Sequence, residues 1–350
     1  MINKHFWKNK RVLVTGHTGF KGAWLSLWLK KLGSEVYGIA LPPKTIPNLF
    51  TEAHLESEIA SYVCDIRDMD SLKKLIIQAQ PEIVFHLAAQ SLVLASYRDP
   101  LNTFATNVTG TVHLLEALRG QSGIRVAIMV TTDKVYRNLE WPYPYRENDP
   151  LGGHDPYSAS KAASEIVIES YRLSFLASQG TAVASARAGN VIGGGDWAED
   201  RIIPDAVRAW EAGKPLLVRN PEAIRPWQHV LEPLYGYIVL AQTLWEKPEL
   251  ACPYNFGPAT DEAIKVRDLV EMARIYYGRG EVTFAPASQD APHEAHWLAL
   301  ETARTRNVLG IKPKWRLKEA VEKTIYWYRA FYEGKDARDL CIYDIEAYEA

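Results

Sequence analysis

The sequence predicts an α/β fold: a doubly wound parallel sheet followed by a smaller, mixed α/β lobe. Three observations predict it. Through residue 190, short apolar runs alternate with amphipathic helical stretches. Those apolar runs are continuous rather than alternating, as strands are when helices cover both faces of a sheet. The first of them, RVLVTG (11–16), opens into a glycine-rich turn that leads into a helical pattern.

Each element follows in order. WLSLWLKKLG (24–33) has helical spacing and stops at Gly33, and EVYGIAL (35–41) reads as the second strand. MDSLKKLIIQAQ (69–80) reads as a helix capped at Asp70, and EIVFHLAA (82–89) as a strand. A helix over 103–120, a strand over 125–132, a helix over 158–175 and a strand over 181–191 complete the alternation. Beyond residue 190 the pattern loosens into loops containing Pro and Trp, with scattered helices such as EAVEKTIYWYRAFYEG (319–334). This divides the chain into residues 1–190 and 191–350, with a soft boundary and a chain that crosses between the lobes.

Composition narrows the function. A chain of 350 residues with 47% hydrophobic content can bury a large core. The 40 basic and 42 acidic residues nearly cancel and form no block, which argues against a nucleic-acid or anionic membrane partner. The N-terminus has no apolar h-region and no run of 18 apolar residues occurs, so neither a signal peptide nor a membrane span is expected. Three widely spaced cysteines, Cys64, Cys252 and Cys341, point to reduced thiols and a cytoplasmic setting. No metal is expected: His86 and His113 lie in separate segments without an i, i+4 partner, and His86 reads as a packed strand residue.

GHTGFKG places Gly16, Gly19 and Gly22 between the first strand and its helix. In a Rossmann turn the three serve a tight bend, close approach of backbone to a pyrophosphate, and close helix–strand contact. The acid that usually holds the adenosine ribose is missing, because the second strand ends in ALPPK (40–44). NAD preference over NADP is therefore not secured there, Lys44 would tolerate a 2′-phosphate, and Asp65 in VCDIRD is the alternative contact for the adenine. Tyr157 and Lys161 in DPYSASK stand four apart at a helix start, on one face. A lysine beside the phenol, with a positive nicotinamide nearby, is expected to lower the phenol from its usual ~10 so that it can take a proton from a sugar hydroxyl.

Together GxxGxxG, HLAAQ (86–90), NVTGT (107–111), TTDKVY (131–136) and YSASK (157–161) resemble the extended short-chain dehydrogenase/reductases, and among them the nucleotide-sugar 4,6-dehydratases. The resemblance continues through RAGNVIGGGDW, RIIPD, RPWQHV, NFGP and HEAHWLAL. Asp133 followed by Lys134 is similar to the branch that acts on CDP-glucose; relatives acting on dTDP-glucose carry Glu at the second place, and epimerases lack the acid–base pair. The resemblance implies oxidation at C4 of the sugar, elimination of water across C5 and C6, and return of the hydride to C6. It implies Thr132, Asp133, Lys134, Tyr157 and Lys161 as catalytic residues, with Asp133 the acid and Lys134 the base. A lysine is a base only when neutral, so burial or the nicotinamide charge must strip its proton. NAD is then expected against Gly16, Thr18, Gly19, Phe20, Lys21, Gly22, Asp65, Ile66, Leu87, Ala88, Ala89, Asn107, Thr131, Tyr157 and Lys161. CDP-glucose is expected against Gln90, Ser91, Asn190, Arg201, Arg225, His293 and Glu294, with Arg225 and then Arg201 on the diphosphate. A homodimer or homotetramer is expected through the helices over 103–120 and 158–175.

Overall fold

The computed structural model describes residues 1–285 and 297–350. Seven strands form one sheet: β1 (Arg11–Thr15), β2 (Glu35–Ala40), β3 (Ala60–Val63), β4 (Ile83–His86), β5 (Val126–Val130), β6 (Ala182–Ala188) and β7 (Tyr254–Phe256). Their order is β7–β6–β5–β4–β1–β2–β3, and every pairing is parallel. The continuous apolar runs are explained by two cores. Val12 and Val14 of β1 and Val126 and Ile128 of β5 face one core; Leu13, Ala127 and Met129 face the other. Alternate side chains thus point to opposite covered faces, which is why the strands show no polar alternation.

The helices that cover the sheet are α1 (Phe20–Lys31), α2 (Met69–Ala79), α3 (Gly110–Leu118) and α4 (Pro156–Tyr171) on the N-terminal side of residue 190, and α5 (Leu231–Glu246), α6 (Leu317–Tyr332) and α7 (Ala337–Glu349) beyond it. Several boundaries differ from the sequence expectation. Helix α1 starts at Phe20, directly on the glycine turn, four residues before the expected start at 24. Helix α2 is capped by Asp68, whose carboxylate accepts from Ser71 N at 3.1 Å; Asp70 sits inside the first turn. The strand expected over 181–191 ends at Ala188, and after Gly189 and Asn190 the chain pairs anew at Val191–Ile192 with Gln228–His229.

Two strands of this sheet escaped the pattern altogether. β3 is an edge strand with a half-exposed face, and β7 has only three residues, too few to show a period. β7 comes from the C-terminal half yet pairs with β6, so that half contributes to the main sheet as well as to the loops above it. Further ties run through Trp24 Nε1, which donates to Gly194 O at 2.9 Å, and Asp196 N, which donates to the Tyr328 hydroxyl at 3.0 Å. No helix among the described residues is long and apolar enough to cross a membrane.

Candidate active site

The strand order reverses at β1 and β4, and at the carboxyl ends of such a sheet the diverging connections leave a crevice. Here it is a cavity of about 2040 Å³. The glycine turn forms part of its wall. Gly16 has φ +76°, and a Cβ there would stand 2.7 Å from Ala88 N; a Cβ on Gly22 would stand 2.1 Å from Gly16 O. Gly19 caps α1 without any side-chain bond, so the first N–H groups of the helix have no side-chain acceptor at the cap. Bare backbone at a helix N-terminus fits a dinucleotide pyrophosphate. Thr18, Phe20, Lys21, Asp65, Ile66, Leu87, Ala88, Ala89 and Thr131 line the same cavity.

Asp155 caps α4, its carboxylate accepting from Ser158 N at 2.9 Å, and Pro156 fills the first position. This start delivers Tyr157 and Lys161 to the cavity wall. Lys161 Nζ donates to Val130 O at 3.1 Å, and Thr132 stands close enough to the Tyr157 phenol to favour its ionised form. The expected lowering of the phenol is not what the chain alone produces. Burial raises Tyr157 to about 12, against the opposing pull of Thr132 and the nearby Arg201. Burial also lowers Lys161 to about 8, against the pull of Glu165. At each group the cost of burying the charged form outweighs the neighbours that favour it, Thr132 and Arg201 at the phenol and Glu165 at the ammonium.

After β5 the chain makes a short helical turn over Asp133–Val135, begun by Thr132, whose hydroxyl accepts from Lys134 N. Asp133 is fully buried behind the wall. Its Oδ1 accepts from the Thr132 hydroxyl at 2.9 Å and from Lys134 Nζ at 3.1 Å. Its Oδ2 has no partner and points at Gly189, where an added Cβ would stand 2.7 Å away. Lys134 lines the cavity and also donates to Asn190 Oδ1 at 3.4 Å.

The expected residues do not all present themselves to the cavity in the same way. Asn190 lines it but is tied to Lys134. Arg201 lines it between Asp196, at 2.7 Å, and Ser91, at 3.2 Å, close enough to Tyr157 to act on its charge. Arg225 lines it and donates to Ile224 O at 2.9 Å. Gln90 lines it, yet its amide is engaged by Leu92 and Thr103. Asn107 stands fully buried behind the wall, joining Gln90 N and O to Ser160. Asp65 is held by Arg67, whose Nε lies 3.0 Å from both carboxylate oxygens. Lys21 donates to the Tyr237 hydroxyl at 3.0 Å; burial, Arg201 and Lys161 push its ammonium down to about 7. His293 and Glu294 lie outside the described residues. His86 is indeed a packed strand residue, its nitrogens bonded to Thr15 at 2.7 Å and Thr111 at 3.3 Å.

The family profile described as GDP-mannose 4,6-dehydratase matches residues 13–324. The chain belongs to that family of nucleotide-sugar 4,6-dehydratases. A CDP-glucose 4,6-dehydratase of Salmonella typhimurium is 47% identical over 342 residues, which are 96% of this chain and 95% of that protein. A dTDP-glucose 4,6-dehydratase of Streptomyces antibioticus is 31% identical over 275 residues, 76% of this chain and 75% of that protein. A UDP-glucose 4-epimerase of Thermus thermophilus solved with NAD shares the fold, with a TM-score of 0.78 and 25% identity over 91% of this chain and 98% of that one.

Within this dehydratase site, sequence reasoning missed Asp196, Arg67, Gly189 and Glu165. Arg67 stands two residues from Asp65 and Asp196 five residues from Arg201, and an acid or base so near an expected ligand residue is a readable signal. Nothing local marks Gly189 or Glu165, because their partners are brought from other strands.

Proposed function

We propose that the chain is an NAD-dependent CDP-glucose 4,6-dehydratase that forms CDP-4-dehydro-6-deoxyglucose and water. The observation that carries this reading is that Tyr157, Lys161 and Lys134 line one cavity, with Asp133 directly behind its wall and bonded to Lys134. Tyr157 and Lys161 come from α4, and Asp133 and Lys134 from the end of β5. Oxidation alone needs the first pair; elimination needs an acid and a base as well. The likeness to the Salmonella enzyme supports the choice of base and sugar.

NAD would lie along the glycine turn, with Asp65 and Ile66 at the adenine and Leu87, Ala88, Ala89, Thr131 and Lys161 nearer the nicotinamide. It supplies the hydride acceptor at C4 and the hydride donor at C6, so none is consumed. Tyr157 takes the O4 proton while Thr132 holds the same oxygen. The ketone at C4 acidifies the C5–H bond, and Lys134, when neutral, removes that proton. The C5–H electrons form the C5=C6 bond, and the C6 hydroxyl leaves as water with a proton from Asp133. Lys134 then returns a proton to C5. Arg225, Arg201 and Asn190 would hold the diphosphate, Ser91 and Gln90 the sugar, and His293 and Glu294 the nucleotide.

The outward faces of the helical stretch 100–118 and of α4 carry Leu101, Phe104 and Ile166, all exposed. Pairing of these faces would make a homodimer, and two dimers a tetramer; sedimentation of Ile166→Glu at lower mass than the parent chain checks it. Three free thiols suit a cytoplasmic enzyme. The deciding experiment is mass spectrometry of the product after incubation with NAD and CDP-glucose, with dTDP-, GDP- and UDP-sugars in parallel. Loss of one water from CDP-glucose alone supports the full reading. Loss from another nucleotide sugar instead reassigns the substrate, and unchanged mass with all four overturns the elimination.

A further inference from the structure

Helix α4 grips the end of β5 on three successive turns. Tyr157, Lys161 and Glu165 are four residues apart and share one face. They meet three consecutive residues: Tyr157 lies beside Thr132, Lys161 donates to Val130 O, and Glu165 accepts from the Thr131 hydroxyl. The next two residues along the chain are Asp133 and Lys134.

Glu165 is itself anchored from behind. Its Oε2 accepts from Arg187 Nη2 and from the Ser185 hydroxyl, both at 2.7 Å and both on β6. The ion pair is buried almost completely, with 3% and 2% of the two side chains exposed. Arg187 is held in turn by the Tyr136 hydroxyl at 3.0 Å and Glu147 O at 2.9 Å. Apolar side chains of the same volume would hold α4 on β6 about as well as a buried ion pair does. What only a carboxylate supplies is a negative charge one helical turn from Lys161.

We propose that Glu165 is a positioning residue for the first proton transfer: its carboxylate, held in place one helical turn from Lys161, keeps Lys161 charged, so that Tyr157 and not Lys161 gives up the proton. This rests on the reading of Tyr157 as the base for O4. Removing one proton from the Tyr157–Lys161 pair leaves either phenolate with ammonium or phenol with amine. Only the first puts the base on the phenol, the group read as facing O4. Burial favours the second, and Glu165 is the group that acts against burial at Lys161. Other charged or titratable groups stand around the pair: Lys21 from α1, His86 from β4, Asp133 beyond β5, Asp155 at the start of α4, Tyr237 from α5 and Arg201 from the C-terminal half, with Arg187 of β6 behind Glu165. His86 is buried and held neutral at physiological pH; Arg201 disfavours an ammonium at Lys161, and Lys21, pushed down to about 7, does so only below that pH.

Charge and shape are separated by two variants. Glu165→Gln keeps the size and loses the charge; Glu165→Asp keeps the charge and loses the reach to Thr131. Each is read as the plateau rate of cofactor reduction at high pH in a single turnover with CDP-glucose. Each is also read, without substrate, as the phenolate absorbance that disappears in Tyr157→Phe. Glu165→Gln is expected to lose about tenfold or more in both readouts, corresponding to a shift of one pKa unit or more for an ammonium that loses an adjacent carboxylate. Glu165→Asp is expected to retain most of both. The reverse ranking, or equal losses that track melting temperature, overturns the proposal. Should neither variant fold, ¹⁵N NMR of the Lys161 Nζ in the parent chain decides, with Lys161→Met for assignment: a neutral amine at pH 7 overturns it, an ammonium supports it. A parent chain that reduces no cofactor with any nucleotide sugar refutes the dehydratase reading instead, and the NMR result still stands.

Discussion

Gly189→Ala tests the placement of the acid. Asp133 Oδ2 points at Gly189, and an alanine Cβ would stand 2.7 Å from that oxygen and 3.2 Å from Asp133 Cγ. Gly189 lies outside the left-handed region, so the alanine backbone fits and the clash is with the carboxylate alone. Asp133 has no slack, being fully buried with Oδ1 bound to Thr132 and Lys134. Overpacking of this kind costs about 1–3 kcal/mol, and the carboxyl must move by roughly half an ångström to relieve it. If the displacement is felt in the elimination, the same energy is about 5- to 150-fold in that step, at ~1.4 kcal/mol per factor of ten. Cofactor reduction followed by absorbance, beside product mass in a quenched time course, separates the two halves. The expected result is near-normal reduction and slow water loss, so that an oxidised sugar still carrying its C6 hydroxyl accumulates. Normal dehydration in a variant with a lowered melting temperature would refute the role given to Asp133.

The other expectations are simpler. Tyr157→Phe removes the group that takes the O4 proton; turnover should fall by at least ~10²-fold while NAD binding by calorimetry stays near that of the parent chain. Lys134→Met should leave cofactor reduction in place and slow dehydration by roughly 10²- to 10⁴-fold, and normal product mass in the usual time would exclude it as the base. Away from the site, burial lifts the Glu232 carboxyl to about 7, while its oxygens accept from Lys314 N, Trp315 N and the Tyr348 hydroxyl. The folded chain therefore keeps a proton that the unfolded chain releases near ~4.3, so this group's contribution to stability falls as pH rises from about 4.3 to about 7. Glu232→Gln, which carries no such charge, should gain a few degrees in melting temperature at pH 8 relative to the parent chain and none at pH 4. Equal shifts at both pH values would contradict the assignment.

Much of this was legible in the residues. The strands β1, β2, β4, β5 and β6 are continuous apolar runs, and their helices have a clear period, because both sheet faces are covered and no residue has to alternate. The glycine turn and the Tyr157–Lys161 spacing are local, since a tight bend and one helical turn are properties of neighbouring residues. The edge strand β3 and the three-residue β7 were not legible. Their identity depends on a partner strand far away in sequence, and three residues carry no period.

The sequence by itself determined the fold class, the dinucleotide turn, and the catalytic residue types, because each depends on backbone geometry or spacing within a few positions. Only the tertiary structure decided how those residues stand toward one another. It put Asp133 behind the cavity wall, gave Asn190 to Lys134, turned Asn107 inward, and set Glu165 against Arg187. It also made burial, rather than the neighbouring lysine, the main influence on Tyr157. Desolvation and long-range pairing are sums over groups that meet only when the sheet is assembled, and no local pattern encodes such a sum.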